Sequence, residues 1–211
     1  MNLADFPHVF EPGTDPSAPP LLLLHGTGGN EHDLLPLGRS LSPGSALLSP
    51  RGRVSEHGAA RFFARLAEGV FDPAEVARRT QELAEFILAA AQTHALDLAR
   101  LTAVGFSNGA NIAGSLLLLQ PGTLGAAVLI RPMIVLDRPA AAGSLAGRRI
   151  LLLNGSFDPL VPADQPPRLA ALFRAGGAEV ALEVHPASHG LARADIEKSQ
   201  AWLAALRRPH G

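Results

Sequence analysis

Six short apolar runs, each closed by turn-forming residues, recur along the chain: PLLLLHG, SALLSP, LTAVGFS, GAAVLIRP, RRILLLNGS and EVALEVHP. Runs of this length predict buried β-strands. Several are separated by longer stretches with helical spacing. In the clearest, from about Pro73 to His94, Val76, Thr80, Leu83, Ile87 and Ala90 share one face. Asp72 with Glu75 three residues later has the spacing of a capping box, and Pro73 sits at a first helical position, where its missing N–H costs nothing. Further helices are expected from Ser107 to about Leu119, after Asp164, where Pro166 and Pro167 fit only a first turn, and from Ala192 to Arg207. Strands alternating with helices imply right-handed crossovers, hence a doubly wound α/β architecture with a mainly parallel sheet and helices on both faces.

A chain of 211 residues can bury one sizeable core, so a single domain over residues 1–211 is expected. The 18 basic and 19 acidic residues leave a net charge of −1, without the positive field that attracts nucleic acid or anionic membranes. The absence of cysteine excludes disulfides, thiolate metal sites and a cysteine nucleophile together. The first residues, MNLADFPHVFEPG, have no basic stretch followed by an apolar one, which predicts a cytoplasmic location without a secretory signal. The longest apolar runs, such as Leu21 to Leu24 and Leu116 to Leu119, fall far short of the roughly 20 residues that span a bilayer.

In a doubly wound sheet, ligands bind outside the carboxyl ends of the strands. The run LTAVGFS leads there into G-F-S-N-G, Gly105 to Gly109, after which NIAGSLLLL is helical in pattern. Strand, sharp turn and helix make the context of a nucleophile elbow, with Ser107 at its tip. Gly105 and Gly109 suit a strained turn that leaves no room for a Cβ. With 21 glycines a bare G-x-S-x-G arises by chance readily, and it is the flanking strand and helix that set this one apart.

A serine nucleophile needs a histidine to take its proton and an acid to orient that histidine. In this fold their order is serine, acid, histidine. Asp158, in NGSFDPLVP directly after RRILLLNGS, is the first candidate acid, and Asp137, after GAAVLIRPMIV, is the runner-up. Of the histidines beyond Asp158, His189 lies in the loop PASHG ahead of a helix, His185 ends a strand run, and His210 lies near the terminus. His189 is the expected base and His185 a partly buried strand-end residue. Four residues separate those two, but Pro186 and Gly190 exclude the helix on which such spacing binds a metal.

The oxygen that becomes negative in a tetrahedral intermediate needs backbone donors. Asn108 N–H supplies one, and Thr27 N–H, in the glycine-rich loop LLLLHGTGGNEHDLLPL, is the choice for the other. That loop has neither the lysine of a P-loop nor a dinucleotide spacing. His25, Glu31, His32 and Asp33 in the same loop serve as anchors by hydrogen bonding, since no complete metal-ligand set accompanies them.

With LHGTGGNEHDLLPL, GFSNGANIA, NGSFDPLVP and SHGL in this order, the chain resembles the phospholipase/carboxylesterase family of α/β-hydrolases, which includes acyl-protein thioesterases. RGRVSEHGAARFFARLAEGVFD further resembles the bacterial carboxylesterase branch linked to hydroquinone and aromatic compound metabolism, so the similarity covers most of residues 20 to 205. The resemblance implies a Ser107, Asp158 and His189 triad with Thr27 and Asn108 as oxyanion donors, no cofactor, and often a homodimer. Many relatives carry Gln where this chain has Asn108, a change of little consequence for a backbone donor.

The interval from Arg131 to Arg149 is too short for the large helical cap of many lipases, so only residues 51–72, read as a short helix between loops, are available to cover the site. Phe62, Phe63, Phe71 and Met133 are candidates for an apolar pocket wall, against an ordinary core role for each. Arg51, Arg53 and Arg61, interspersed with Glu56 and Glu68, read as a solvated charged surface rather than an anion subsite. The expected activity is hydrolysis of small carboxylic or aryl esters. The competing readings are thioester or lysophospholipid hydrolysis on longer chains, and a hydrolase fold that binds without catalysis.

Overall fold

The computed structural model describes residue 3 and residues 6–207. Its strands are β1 (His8–Glu11), β2 (Leu21–Leu24), β3 (Leu47–Pro50), β4 (Val54–Glu56), β5 (Ala59–Arg61), β6 (Thr102–Phe106), β7 (Ala126–Ile130), β8 (Arg149–Gly155) and β9 (Glu179–His185). Seven of them form one sheet in the order β1-β3-β2-β6-β7-β8-β9. Six run parallel, and β1 pairs antiparallel with β3 at one edge. The architecture is the expected α/β-hydrolase fold, and the chain reverses winding direction about β2.

Side chains alternate across a strand, so a run apolar at every position feeds two cores. Leu22, Leu24, Ala103, Ala127, Leu129, Ile150 and Leu152 face one way. They pack against α2 (Pro73–His94), α3 (Asn108–Leu119) and α4 (Gln165–Ala175) through Leu83, Ile87, Ile112, Leu116, Leu169 and Phe173. Leu21, Leu23, Val104, Val128, Ile130, Leu151 and Leu153 face the other way, against Leu35 and Leu41 of α1 (Leu35–Leu41) and Leu203 of α5 (Arg193–Leu206).

The bounds of α2 coincide with the predicted ones, and its predicted face is buried throughout. Asp72 caps it by accepting from Ala74 N–H at 2.9 Å, while Glu75 turns to Arg78 and Arg79, so the cap forms and the reciprocal half of the box is replaced by ion pairs. Two expectations need correction. EVALEVHP forms β9, but as an edge strand with only β8 beside it, so most of its residues are exposed or half-buried. Residues 51–72 contain no helix: β4 and β5 make a hairpin whose turn residues His57 (φ 52) and Gly58 (φ 87) both take the left-handed conformation that two-residue hairpins need. The short β1 and α1 were not expected at all. Within α1, Gly38 lies where a Cβ would stand 2.8 Å from the Leu23 side chain, and this glycine together with Pro36 masks the helical pattern.

The start of α3 is packed closely against the ends of both β6 and β2. A Cβ on Gly109 would lie 1.9 Å from the Leu24 carbonyl oxygen, and one on Gly105 would lie 2.6 Å from the Gly109 oxygen. Both obstacles are backbone and cannot rotate away. Gly109→Ala is therefore expected to destabilise by about 3 kcal/mol and to lower the calorimetric Tm by roughly 6–12 °C. Gly122→Ala, where a Cβ meets nothing within 4 Å, should stay within about 0.5 kcal/mol of the parent. Equal Tm values for the two variants would refute the packing argument.

Candidate active site

β6 ends at Phe106, and the chain turns at once into α3. Ser107 makes the turn with φ 51 and ψ −114, an unfavourable backbone conformation for a non-glycine residue, and is held by its N–H donating to Ile130 O at 2.8 Å. The hydroxyl is thereby lifted above the carboxyl edge of the sheet. His189 lies in the loop between β9 and α5, and its Nε2 is 2.9 Å from Ser107 Oγ. Its Nδ1 is 2.8 Å from Asp158 Oδ2 and 3.1 Å from Oδ1, and the Asp158 side chain is fully buried. With the proton on Nδ1 donated to the carboxylate, Nε2 is free to accept from the serine hydroxyl. Asp158 is itself fixed by Leu160 N–H and Val161 N–H, which donate to Oδ1 at 2.8 and 3.2 Å.

The structure thus brings Ser107, Asp158 and His189 together from the loops after β6, β8 and β9. The other candidates lie elsewhere. Asp137 is exposed and receives Arg168 at 2.8 Å. His185 ends β9, 8% exposed, with Nε2 3.0 Å from an Asp195 oxygen. His210 lies outside the described residues. Among the described residues no group of three or more His, Cys, Asp or Glu side chains is arranged to hold a metal, and no helix is long and apolar enough to cross a membrane.

Asn108 is the first residue of α3, where an N–H has no partner within its own helix. Thr27 lies across from it in the loop after β2, and both residues line a cavity of about 200 Å³ with Ser107 and His189. Two of the four expected anchors, His25 and Glu31, hold the loop through hydrogen bonds, whereas His32 and Asp33 are exposed. His25 Nδ1 contacts Gly26 O at 2.7 Å and its Nε2 accepts from Gly52 N–H at 2.9 Å. Glu31 receives Arg51 at 2.7 Å, and that hydrogen bond holds its carboxyl below the usual carboxylate range.

Of the four suggested wall residues, Phe71 and Met133 line the cavity. Phe62 and Phe63, 4% and 0% exposed, belong to the core cluster instead. The lining also contains Arg61, Arg65, Glu68, Asn111 and Leu160. Arg61 departs from the solvated surface expected of it. It is 3% exposed, donates to Thr27 Oγ1 at 2.6 Å and to Phe63 O at 3.1 Å, and is neutralised by Glu56 at 3.1 Å. The hairpin accounts for this inward turn: Gly28 N–H donates to Ala60 O at 2.9 Å and Phe62 N–H to Asn108 Oδ1 at 2.7 Å, which draws β5 down onto the Thr27 loop.

Residues 53–207 match the family model described as the dienelactone hydrolase family. The putative hydrolase MhqD of Bacillus subtilis (strain 168) is 43% identical over 195 residues, 92% of this chain and 96% of that protein. The crystal structure of the Bacillus cereus carboxylesterase is similar with a TM-score of 0.92 and 42% identity, covering 96% of this chain and 95% of that one. A carboxylesterase from Mesorhizobium loti gives a TM-score of 0.87 at 37% identity, with 94% of each chain covered. These relatives bear out the resemblance carried by the four motif blocks.

Burial pushes the His25 imidazole down from its usual value of 6.5, against the raising effects of the Gly26 carbonyl, Asp33 and Glu31. The unfolded chain therefore takes up a proton before the folded one does, and stability present above pH 6.5 is lost as pH falls toward the folded-state value. Burial shifts His94 the same way. Tm should fall between pH 7.5 and 5, and His25→Gln, whose amide can still accept from Gly52 N–H, should reduce that slope without abolishing it. An unchanged slope in the variant would remove His25 from the account.

Proposed function

Because the chain belongs to the dienelactone hydrolase family, we propose that it is a carboxylic ester hydrolase working through Ser107, His189 and Asp158. The observation that carries the proposal is the continuous hydrogen-bonded line from Ser107 Oγ to His189 Nε2 at 2.9 Å and from His189 Nδ1 to Asp158 at 2.8 Å. In acylation the Ser107 proton passes to Nε2 as Oγ bonds the substrate carbonyl carbon, and the oxygen that becomes negative is received by Thr27 N–H and Asn108 N–H. Collapse breaks the ester C–O bond, and the leaving alcohol takes the proton from Nε2. A water then gives its proton to Nε2 and attacks the acyl-enzyme. The second collapse returns that proton to Ser107 and releases the acid. Asp158 keeps its charge throughout and stabilises the imidazolium.

The substrates we propose are small aliphatic or aryl esters. A cavity of about 200 Å³ lies below the ~300–1,000 Å³ range of pockets that enclose drug-sized ligands, and Phe71, Met133 and Leu160 give it apolar walls. Two of the similar structures are described as carboxylesterases. Thioester or lysophospholipid hydrolysis on long chains would need a longer groove.

Hydrolysis of p-nitrophenyl acetate, butyrate and octanoate tests both parts. kcat should fall at least about 10⁴-fold in Ser107→Ala and about 10⁴-fold in Asp158→Asn, while Asp137→Asn leaves it unchanged. Acetate and butyrate should give higher kcat/KM than octanoate. Activity that survives Ser107→Ala would end the mechanism, and a preference for octanoate would replace the substrate class with a long-chain one.

A further inference from the structure

The mechanism above assigns no task to Arg131, the residue that follows β7, yet it is the largest fully buried side chain of the described residues. Its backbone takes φ 57, the left-handed region that a side chain rarely adopts. The Nε–H donates to Ser188 O at 2.9 Å and one Nη2–H to Gly190 O at 3.2 Å. Those two carbonyls flank His189 in the chain. One Nη1–H donates to Leu153 O at 3.1 Å, inside the strand that leads to Asp158, and the remaining Nη1–H and Nη2–H make a bidentate pair with Asp195 at 2.9 and 2.8 Å. All five donors of the guanidinium are used. Asp195, 0% exposed, also accepts from Ala192 N–H at 2.8 Å and lies 3.0 Å from His185 Nε2.

We propose that Arg131 is the positioning residue of the catalytic base: its guanidinium grips the backbone on both sides of His189, and Asp195 supplies the charge that allows it to be buried there. The inference rests on the assignment of His189 as base. Three observations support it. A buried ion pair is seldom the most stabilising way to fill a core, since apolar residues of similar volume often do as well, so stability alone does not call for this one. Three of the five acceptors are loop or strand carbonyls, and two of those bracket a single functional residue. The main chain at 131 also ties neighbouring parts of the site together, because Ile130 O accepts from Ser107 N–H at 2.8 Å and Arg131 N–H donates to Leu153 O at 2.8 Å. One turn of chain thus sets the nucleophile, the strand of the acid and the loop of the base.

Two variants test this with folding kept in view. Arg131→Lys retains a charge opposite Asp195 but has a single donor centre that cannot span Ser188 O and Gly190 O. The pair Arg131→Met with Asp195→Asn leaves no unpaired buried charge and still offers Ala192 N–H an acceptor. Each is checked by circular dichroism and compared with wild type and with His189→Ala on p-nitrophenyl butyrate. In the folded variants kcat should fall about 100-fold, the loss expected from a reacting group displaced by about 1 Å, with KM within about twofold. The rate of Ser107 phosphonylation by a fluorophosphonate should fall in parallel. In a His189→Ala background the same substitutions should leave the residual rate unchanged, because a positioning residue has nothing left to position. A folded variant with wild-type kcat, or one that loses the same factor with and without His189, overturns the proposal. Should His189→Ala itself hydrolyse the ester at the wild-type rate, the assignment of the base fails, a result distinct from loss of the Arg131 role alone.

Discussion

The contact on which the site depends is made without side chains: the start of α3 rests on the end of β2 so closely that Gly109 has no space for a Cβ against Leu24 O. Its consequence is geometric. The first turn of α3, where the Asn108 N–H has no partner within its own helix, is brought beside the loop that leaves β2, and that loop carries Thr27. Two segments far apart in sequence thus meet beside one cavity because two backbones touch. Any side chain at 109 would push these two segments apart.

The second layer of organisation is polar and lies in the hairpin. β4 and β5 bury little apolar surface of their own, and a two-stranded hairpin is marginal alone in water. It is held by hydrogen bonds to groups that would otherwise be orphaned: Ala60 O receives Gly28 N–H, His25 Nε2 receives Gly52 N–H, Asn108 Oδ1 receives Phe62 N–H, and Arg61 reaches Thr27 Oγ1. An unsatisfied buried donor or acceptor costs about 1–3 kcal/mol, so the hairpin, the Thr27 loop and the start of α3 stabilise each other as a unit. The charge of Arg61 is tolerated because Glu56 meets it from the same hairpin, and Glu56 is shared with Arg65. The hairpin brings its own counterion with it.

The strands and the long helices were legible because their apolar spacing repeats over enough residues to define a period, and the positions of the hydrogen-bonded Ser107, Asp158 and His189 because each follows a recognisable strand. β4 and β5, of three residues each, are too short to show alternation, and His57 at the turn is not among the residues usually associated with a left-handed hairpin position. The inward course of Arg61 depends on that hairpin and was hidden with it. Phe62 and Phe63 read as pocket walls for the same reason, since their direction is fixed by the strand they follow. Arg131 and Asp195 lie 64 residues apart, and nothing near either one in the sequence announces the other. Periodicity reports what a residue buries; it does not report which distant carbonyl a long polar side chain will reach.

The distribution of backbone strain connects the fold to the chemistry. Among the described non-glycine residues with positive φ, His57 forms a hairpin turn and Ala95 ends α2, where a left-handed residue is an ordinary stop. Ser107 and Arg131 are different in kind. They follow adjacent parallel strands, β6 and β7, at the same edge of the sheet, where nothing in the strand or helix geometry by itself demands a reversal of φ. Each conformation costs of order 1–3 kcal/mol and persists only if its surroundings hold it. Ser107 is held by Ile130 O and Arg131 by Leu153 O, so each strained residue leans on the next strand along, and the series ends at the strand of Asp158. The sheet stays relaxed where it carries the core and is strained at the edge where Ser107 and Arg131 must turn out of the plane of the strands, the former toward the cavity and the latter toward the loop of His189.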